Sequence, residues 1–203
     1  QNFLNAYQNY PELKGIQTNL YKCFLPQAWK WGSNNGLSGF LHPEGVYDDP
    51  KGSELRALIY PRLKAHFQFQ NELKLFTDVH NNTTFSINIY KAKNSKINDV
   101  SFYSISNLFH PSTIDKCLND NGNLSTPGIK NDKSQWNLNG HKNRILNISL
   151  NELNIFSNLY DQRGTLPLQA RLPMLHSIEL LNVLKRFTSQ KIKLGDISTE
   201  YYS

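Results

Sequence analysis

The sequence predicts an α/β fold that passes into a mixed α+β C-terminal part, and three observations predict it. Apolar residues recur at helical spacing in some stretches, alternate strictly with polar residues in others, and the two patterns take turns over residues 1–92. The chain has 203 residues, of which 38% are apolar, 12% aromatic and 19% charged, enough to build a sizeable core. A mean hydropathy of -0.54, with no apolar run near the ~20 residues of a bilayer span, argues against both a membrane span and wholesale disorder.

A first helix is expected from Thr18, as N-cap, through an apolar stripe of Leu20, Cys23, Phe24, Ala28 and Trp31, with Gly32 as its stop. Pro26 falls inside it and is expected to kink or split it. The turn-rich stretch Gly32 to Gly36 leads into a short buried strand, Leu37 to Leu41, closed by His42-Pro43. Ser53 then caps a helical pattern carrying Leu55, Leu58, Ile59 and Leu63. His66 to Gln70 and Thr84 to Tyr90 alternate as strands and are expected to pair antiparallel, with Phe85, Ile87 and Ile89 on one face. Residues 72–83 between them are too many for a tight turn and read as a working loop.

The polar, basic run Lys91 to Lys96 is read as the boundary of a second part, residues 93–203. There Val100 to Ile105 suggests a strand and Leu108 to Leu118 a short helix or turn, followed by an exposed loop from Asn119 to His141. Ile145 to Ile148 suggests a strand; Asn151 to Tyr160 and Leu175 to Phe187 have helical spacing.

Composition excludes several function classes. Cys23 and Cys117 belong to no Cys/His cluster and read as free thiols of a cytoplasmic protein, and no apolar segment after a basic start marks a secretory signal. The six histidines show no zinc-protease spacing, and the sequence contains no Walker loop, nucleophile elbow or dinucleotide-type glycine loop. The triplets Glu12-Leu13-Lys14 and Glu72-Leu73-Lys74, with Asp48-Asp49, imitate a nuclease carboxylate site, but such triplets are common on solvated helix faces. The net charge of +6 is split as 9 basic against 7 acidic residues over 1–92 and 13 against 9 over 93–203, compatible with a polyanion partner or an ordinary surface.

The order of pieces over residues 17–92 is more informative. Thr18-Asn19-Leu20-Tyr21-Lys22-Cys23-Phe24-Leu25 leads into Gly36-Leu37-Ser38-Gly39-Phe40-Leu41-His42-Pro43, and Leu55-Arg56-Ala57-Leu58-Ile59-Tyr60 leads into Phe67 to Glu72. Leu75-Phe76-Thr77-Asp78-Val79 and Thr84 to Tyr90 close the series. This run resembles the later half of the catalytic domain of adenine-specific N6 DNA methyltransferases of restriction-modification systems. The resemblance implies part of a Rossmann-like methyltransferase sheet ending in an antiparallel hairpin, in a parent enzyme that uses S-adenosylmethionine. It also implies that the glycine-rich donor loop and the N-P-P-aromatic motif would precede Thr18. Neither is in this sequence, so no cofactor is expected in this chain. The expectation is therefore a fragment, inactive alone, whose partners are double-stranded DNA and the remainder of the parent; a start at Gln1 rather than Met agrees with this.

On the same resemblance, Phe76 matches the aromatic that stacks on a flipped-out adenine, against the alternative that it plugs the core beneath the hairpin. His42 and Pro43 end their strand at the carboxyl edge of the sheet, where such folds place substrates, or are a plain strand stop. Lys51, Arg56, Lys74 and Asn82 would flank the DNA cleft. Lys130, Lys133, Lys142 and Arg144, around Trp136 and His141, have the basic and aromatic mixture of a nucleic-acid surface, or form a solvated loop. Two rival functions remain from the sequence: a non-catalytic DNA-binding module and an interaction piece of a defence complex. A half sheet would leave one unpaired edge, covered by residues 97–203 or by self-association.

Overall fold

A computed structural model describes residues 9–13, 15–17 and 19–190. Among them are five strands and six helices: α1 (Leu20–Trp31), β1 (Leu37–Pro43), α2 (Gly45–Asp48), α3 (Ser53–Ile59), β2 (Leu63–Gln70), β3 (Thr84–Lys91), β4 (Ser101–Leu108), α4 (Ser112–Leu118), β5 (Leu146–Ser149), α5 (Leu150–Tyr160) and α6 (Ile178–Thr188). The strands form one mixed sheet in the order β1-β3-β2-β4-β5. β3 is antiparallel to both β1 and β2, so those two run parallel to each other. β4 is parallel to β2, and β5 is antiparallel to β4. The fold is thus α/β with the expected antiparallel hairpin, β2–β3.

The run at 91–96 is the connection from β3 to β4, and the sheet continues across it. Residues from both sides share one core, with Leu25, Ile59 and Tyr90 packed in the same cluster as Phe102, Ile148 and Phe156. β4 and β5 extend the sheet beyond β2, so among the described residues β1 is the terminal strand on the other side, with no strand of residues 97–190 paired to its outer edge.

Local sequence explains the elements, with five corrections. The expected cap Thr18 lies outside the described residues, and Asn19 caps α1 by accepting the Tyr21 N–H. α1 runs unbroken through Pro26 to Gly32. Its core face is Lys22, Cys23, Leu25 and Trp29, whereas Leu20, Phe24 and Trp31 of the expected stripe are exposed. α3 starts on Gly52 rather than Ser53 as its N-cap, and Leu63 opens β2 instead of extending the helix, because Pro61 cannot continue it. Gly32 also allows a close approach: a Cβ there would lie 2.5 Å from the Ala92 Cβ at the end of β3.

Residues opposite one another in register share a face. His42, Ser86 and Gln68 fall on one face with Asn88, His66 and Ser104. That face lies under α1, α3 and α5, and Trp29 meets Tyr90 edge-on at 6.2 Å. The opposite face carries a smaller cluster of Phe69, Phe85, Ile105, Leu108 and Cys117.

Candidate functional site

Because β1, β2 and β4 run in the same direction, their carboxyl ends share one edge of the sheet, together with the start of β3. The loop from β2 to β3 is shaped by one side chain. Asn71, fully buried, donates through Nδ2 to the Phe76 carbonyl at 2.9 Å and the Val79 carbonyl at 2.8 Å, and accepts the Phe76 N–H at 3.0 Å. Lys74, at φ 54°, takes the left-handed turn that closes the short helical turn Asn71–Leu73. The Phe76 ring sits edge-on to Phe85 at 5.1 Å and remains 42% exposed, so it both rests on the hairpin and presents a face outward. Pro43 lies opposite Phe85 in register, which brings the end of β1 to the same edge.

The expected phosphate contacts divide into two groups. Lys51, Lys74, Asn82, Lys130 and Lys133 are exposed. Lys130 lies over the Trp136 ring at 4.5 Å, and Trp136 stacks on Phe109 at 4.5 Å, immediately after β4, so this basic element also reaches the carboxyl edge. Carboxylates share these segments, namely Asp48, Glu72, Asp78 and Asp132. Lys142 donates to the Asn121 carbonyl at 3.2 Å, and His141 is buried.

Arg56 and Arg144 are different, and the structure corrects their expected role. Each is 1% exposed. Arg56 donates to the carbonyls of Gln169 at 2.9 Å and Asp49 at 2.6 Å; Arg144 donates to those of Asn139 at 3.0 Å, Ser106 at 3.1 Å and Asn107 at 3.1 Å. The Arg56 guanidinium ties two loops to α3, and that of Arg144 ties residue 139 to the end of β4; both are spent on buried main-chain carbonyls.

His42 is also buried, at the head of a hydrogen-bond chain that can be assigned a direction. A carbonyl only accepts, so the His42 Nδ1–H donates to the Pro43 carbonyl at 2.9 Å, leaving Nε2 to accept from Asn88 Nδ2 at 3.0 Å. The Asn88 Oδ1 accepts the Tyr47 hydroxyl at 2.7 Å, and Tyr90 supplies the next hydroxyl, 3.0 Å from that of Tyr47 and 3.0 Å from His42 Nε2, which closes the chain on itself. Burial pushes His42 below the ordinary histidine value, more strongly than the Pro43 carbonyl and the Glu44 charge raise it. Burial pushes the Tyr47 and Tyr90 hydroxyls up, so the chain is neutral throughout.

Beside it runs a second series. Ser104 Oγ is 3.0 Å from His66 Nδ1, and His66 Nε2 donates to the Glu44 carboxylate at 3.2 Å. Burial acts to raise the Glu44 carboxyl, but the charge and hydrogen bond of His66, with a hydrogen bond from Ser86, hold it below its ordinary value. The order Ser, His, Glu imitates a hydrolytic triad, yet Ser104 is 3% exposed and His66 2%, so no substrate reaches them. They fasten α2 and the preceding turn to the sheet. Among the described residues no group of three His, Cys, Asp or Glu could hold a metal ion.

No protein-family model and no curated protein matches the chain. The site therefore stands on its own geometry. Of the residues named from the sequence, Pro43, opposite Phe85 in register, and Phe76, edge-on to the Phe85 ring, meet at this edge. The sequence reading missed Glu44, Tyr47, His66, Asn88, Tyr90 and Ser104. A signal for them exists in the period-two polar positions Ser86, Asn88 and Tyr90, which alternate with the apolar Phe85, Ile87 and Ile89 on a strand whose polar face is also buried.

Proposed function

We propose that the chain supplies the base- and DNA-handling rear part of an adenine-N6 DNA methyltransferase of a restriction-modification system, the methyl donor being held by the remainder of the parent. The observation that carries this reading is the β1-β3-β2 arrangement, two parallel strands with the returning strand of a hairpin inserted between them, built from the same motif run. Phe76 on the hairpin loop, half exposed at the carboxyl edge where α/β sheets bind substrates, supports it further. In this reading Phe76 returns to an extruded adenine the stacking it loses on leaving the duplex, while Lys51, Lys74, Asn82, Lys130 and Lys133 meet backbone phosphates. The residues present do not fit S-adenosylmethionine: there is no glycine-rich loop, and the polar side chains beneath the end of β1 are bonded to one another. No step of methyl transfer is assigned to them.

The terminal strand β1 suits a junction with the rest of the parent. Its seven residues carry no charged side chain, and Leu37 and Leu41 on it are 66% and 53% exposed, on the face opposite the one that α1 covers. Self-association through the same edge is the competing use; a monomer in light scattering at high concentration would exclude it. Free, buried Cys23 and Cys117 suit a cytoplasmic setting.

The test is fluorescence anisotropy with a short duplex at several salt concentrations. Affinity is expected to fall with salt at a slope of about -0.9 per phosphate contact, and replacing Lys51 or Lys74 by Gln should each reduce the slope by about one. Supplied with a donor-binding partner half, the chain should support transfer of a labelled methyl group to adenine. Absence of duplex binding at low salt sinks the reading, and salt-dependent binding without any methyl transfer in the joined enzyme favours a plain DNA-binding module.

A further inference from the structure

On β3 the usual order of burial is inverted. The polar Ser86, Asn88 and Tyr90 are fully buried on the face under α1, α3 and α5, whereas the apolar Ile87 and Ile89 on the opposite face are only half-buried. β3 is an interior strand, flanked by β1 and β2, so these two side chains stay accessible only where nothing lies on top of the sheet. Their neighbours in register agree: Ala65 and Phe67 of β2, beside Ile89 and Ile87, are half-buried, and Leu37 and Leu41 of β1 are exposed. On this face α4 covers the carboxyl-end half, through the cluster of Phe69, Phe85 and Cys117, and the described residues leave the rest open. Sheets with parallel strands are ordinarily covered on both faces, because an apolar surface left wet forfeits ~25 cal/mol per Å².

The dimensions of the bare strip select its occupant. Three strands spaced ~4.8 Å apart make it ~10 Å wide, the diameter of one α-helix, and at ~3.3 Å per residue β1 gives it a length of ~15–20 Å, about three helical turns. Gly39 and Ala65, the small residues on either side of Ile89 in register, leave room for side chains laid on them. A second copy fits less well, because a plan area of ~200–300 Å² is far short of the ~800 Å² that each partner of a standard interface buries. Charge gives the strip a polarity. Lys91, opposite Leu37 in register, closes the end where β1 begins, with Lys64 in the bulge between Leu63 and Ala65. Burial, and then the Lys64 charge, pull the Lys91 ammonium below its ordinary value, with the Asp99 charge in opposition. Lys91 donates to Ser95 Oγ, and neither lysine forms an ion pair with a carboxylate among the described residues. We propose that an amphipathic helix of about three turns, contributed by the remainder of the parent, lies on this strip with its apolar side on Leu41, Phe67, Ile87 and Ile89 and an acidic residue over Lys64 and Lys91. Only the source of the helix rests on the methyltransferase reading. The contact is distinct from strand addition at β1, which would lengthen the sheet and leave this face open.

Maleimide labelling of the Leu41→Cys and Ala65→Cys variants, in this chain alone and in the whole parent, tests it, with the yield at each site read by mass spectrometry. The native Cys23 and Cys117 are 2% and 1% exposed and stay silent in the folded chain. Both introduced thiols should react in the chain alone, and in the parent their rates should fall about tenfold or more. Lys64→Glu, at an exposed position, should raise the labelling rate in the parent about two- to fivefold by repelling the acidic residue. Protection of position 41 without position 65 would mean strand addition at the edge, and protection that grows with the concentration of the chain alone would mean a second copy; either overturns the proposal. So does equal labelling in both proteins, or a gene that encodes nothing beyond residues 1–203. Methyl transfer to adenine is assayed in the same parent. Protection without transfer sinks the methyltransferase reading and keeps the helix, whereas transfer with both sites still reactive sinks the helix alone.

Discussion

Replacing Arg56 by Met separates a structural guanidinium from a DNA contact. Met keeps much of the side chain's apolar length and removes every donor. The Asp49 and Gln169 carbonyls, now bonded at 2.6 and 2.9 Å, lose their partner; the Val46 contact at 3.4 Å is at the limit of a hydrogen bond and adds little. Each buried acceptor left unsatisfied costs about 1–3 kcal/mol, or about 2–6 kcal/mol for the pair. Relief of the desolvation that burial imposes on the guanidinium, and that pulls its pKa down, offsets part of this and leaves about 2–4 kcal/mol. Against a total stability of ~5–15 kcal/mol this is a large loss, equivalent at this chain length to roughly 5–15 °C in Tm. Urea unfolding followed by tryptophan fluorescence measures it. Arg56→Lys should lose about half as much, because one ammonium cannot span both carbonyls. Duplex affinity per folded molecule should not change. An unaltered unfolding midpoint combined with weaker duplex binding would refute the reasoning, since it would mean that Arg56 points outward to phosphate.

Other outcomes follow from the same geometry. Asn88→Leu leaves the Tyr47 hydroxyl and His42 Nε2 only the Tyr90 hydroxyl, 3.0 Å from each, and should cost about 1 kcal/mol in urea unfolding, whereas the same change combined with Tyr90→Phe strands both inside the sheet and should cost about 2–4 kcal/mol. His42 and His176 are both held below their ordinary value by burial, so the unfolded chain binds protons that the folded chain does not as pH falls below about 6.5. Urea midpoints should therefore drop between pH 7 and 5, and His42→Gln should flatten that slope; a slope unchanged by the substitution counts against a neutral His42. Glu44 acts lower: its depressed carboxyl stabilises the fold fully above pH ~5 and loses that contribution as pH falls through the folded pKa, so wild type and Glu44→Gln should converge in acid. Phe76→Ala should cost the isolated chain no more than about 1–2 kcal/mol, because the ring is half exposed, yet lower methyl transfer by the joined enzyme about 5- to 150-fold through lost base stacking. Equal losses in both assays would make Phe76 a core plug.

The hairpin was legible because His66 to Gln70 and Thr84 to Tyr90 alternate strictly, and alternation has one reading when both strands lie on a core. α1 was harder because it carries two apolar stripes. Spacing alone favours Leu20, Phe24 and Trp31, while the sheet covers Leu25 and Trp29, with Lys22 drawn inward by the Gln17 carbonyl at 3.0 Å. Arg56 and Arg144 look in sequence like any surface cation. The carbonyls that turn Arg56 inward include one 113 positions away, so only tertiary structure reveals them. The same holds for the Glu44–His66–Ser104 series, whose members come from the turn after β1 and from the middles of β2 and β4.

Asn71 has a consequence for how this edge can change. One amide, anchored at the base of the β2–β3 loop, dictates the path of the next nine residues by gripping Phe76, Val79 and His80 through their main-chain atoms. The path is thus largely decoupled from the side chains it displays. Position 74 is constrained, since its left-handed backbone favours Gly or Asn, and Leu75 packs on the Phe69–Phe85 cluster, but the exposed Thr77 and Asp78 can be exchanged with little effect on the loop's course. The loop behaves as a rigid frame with replaceable letters, so what this edge of the sheet displays can be rewritten there at small cost to folding.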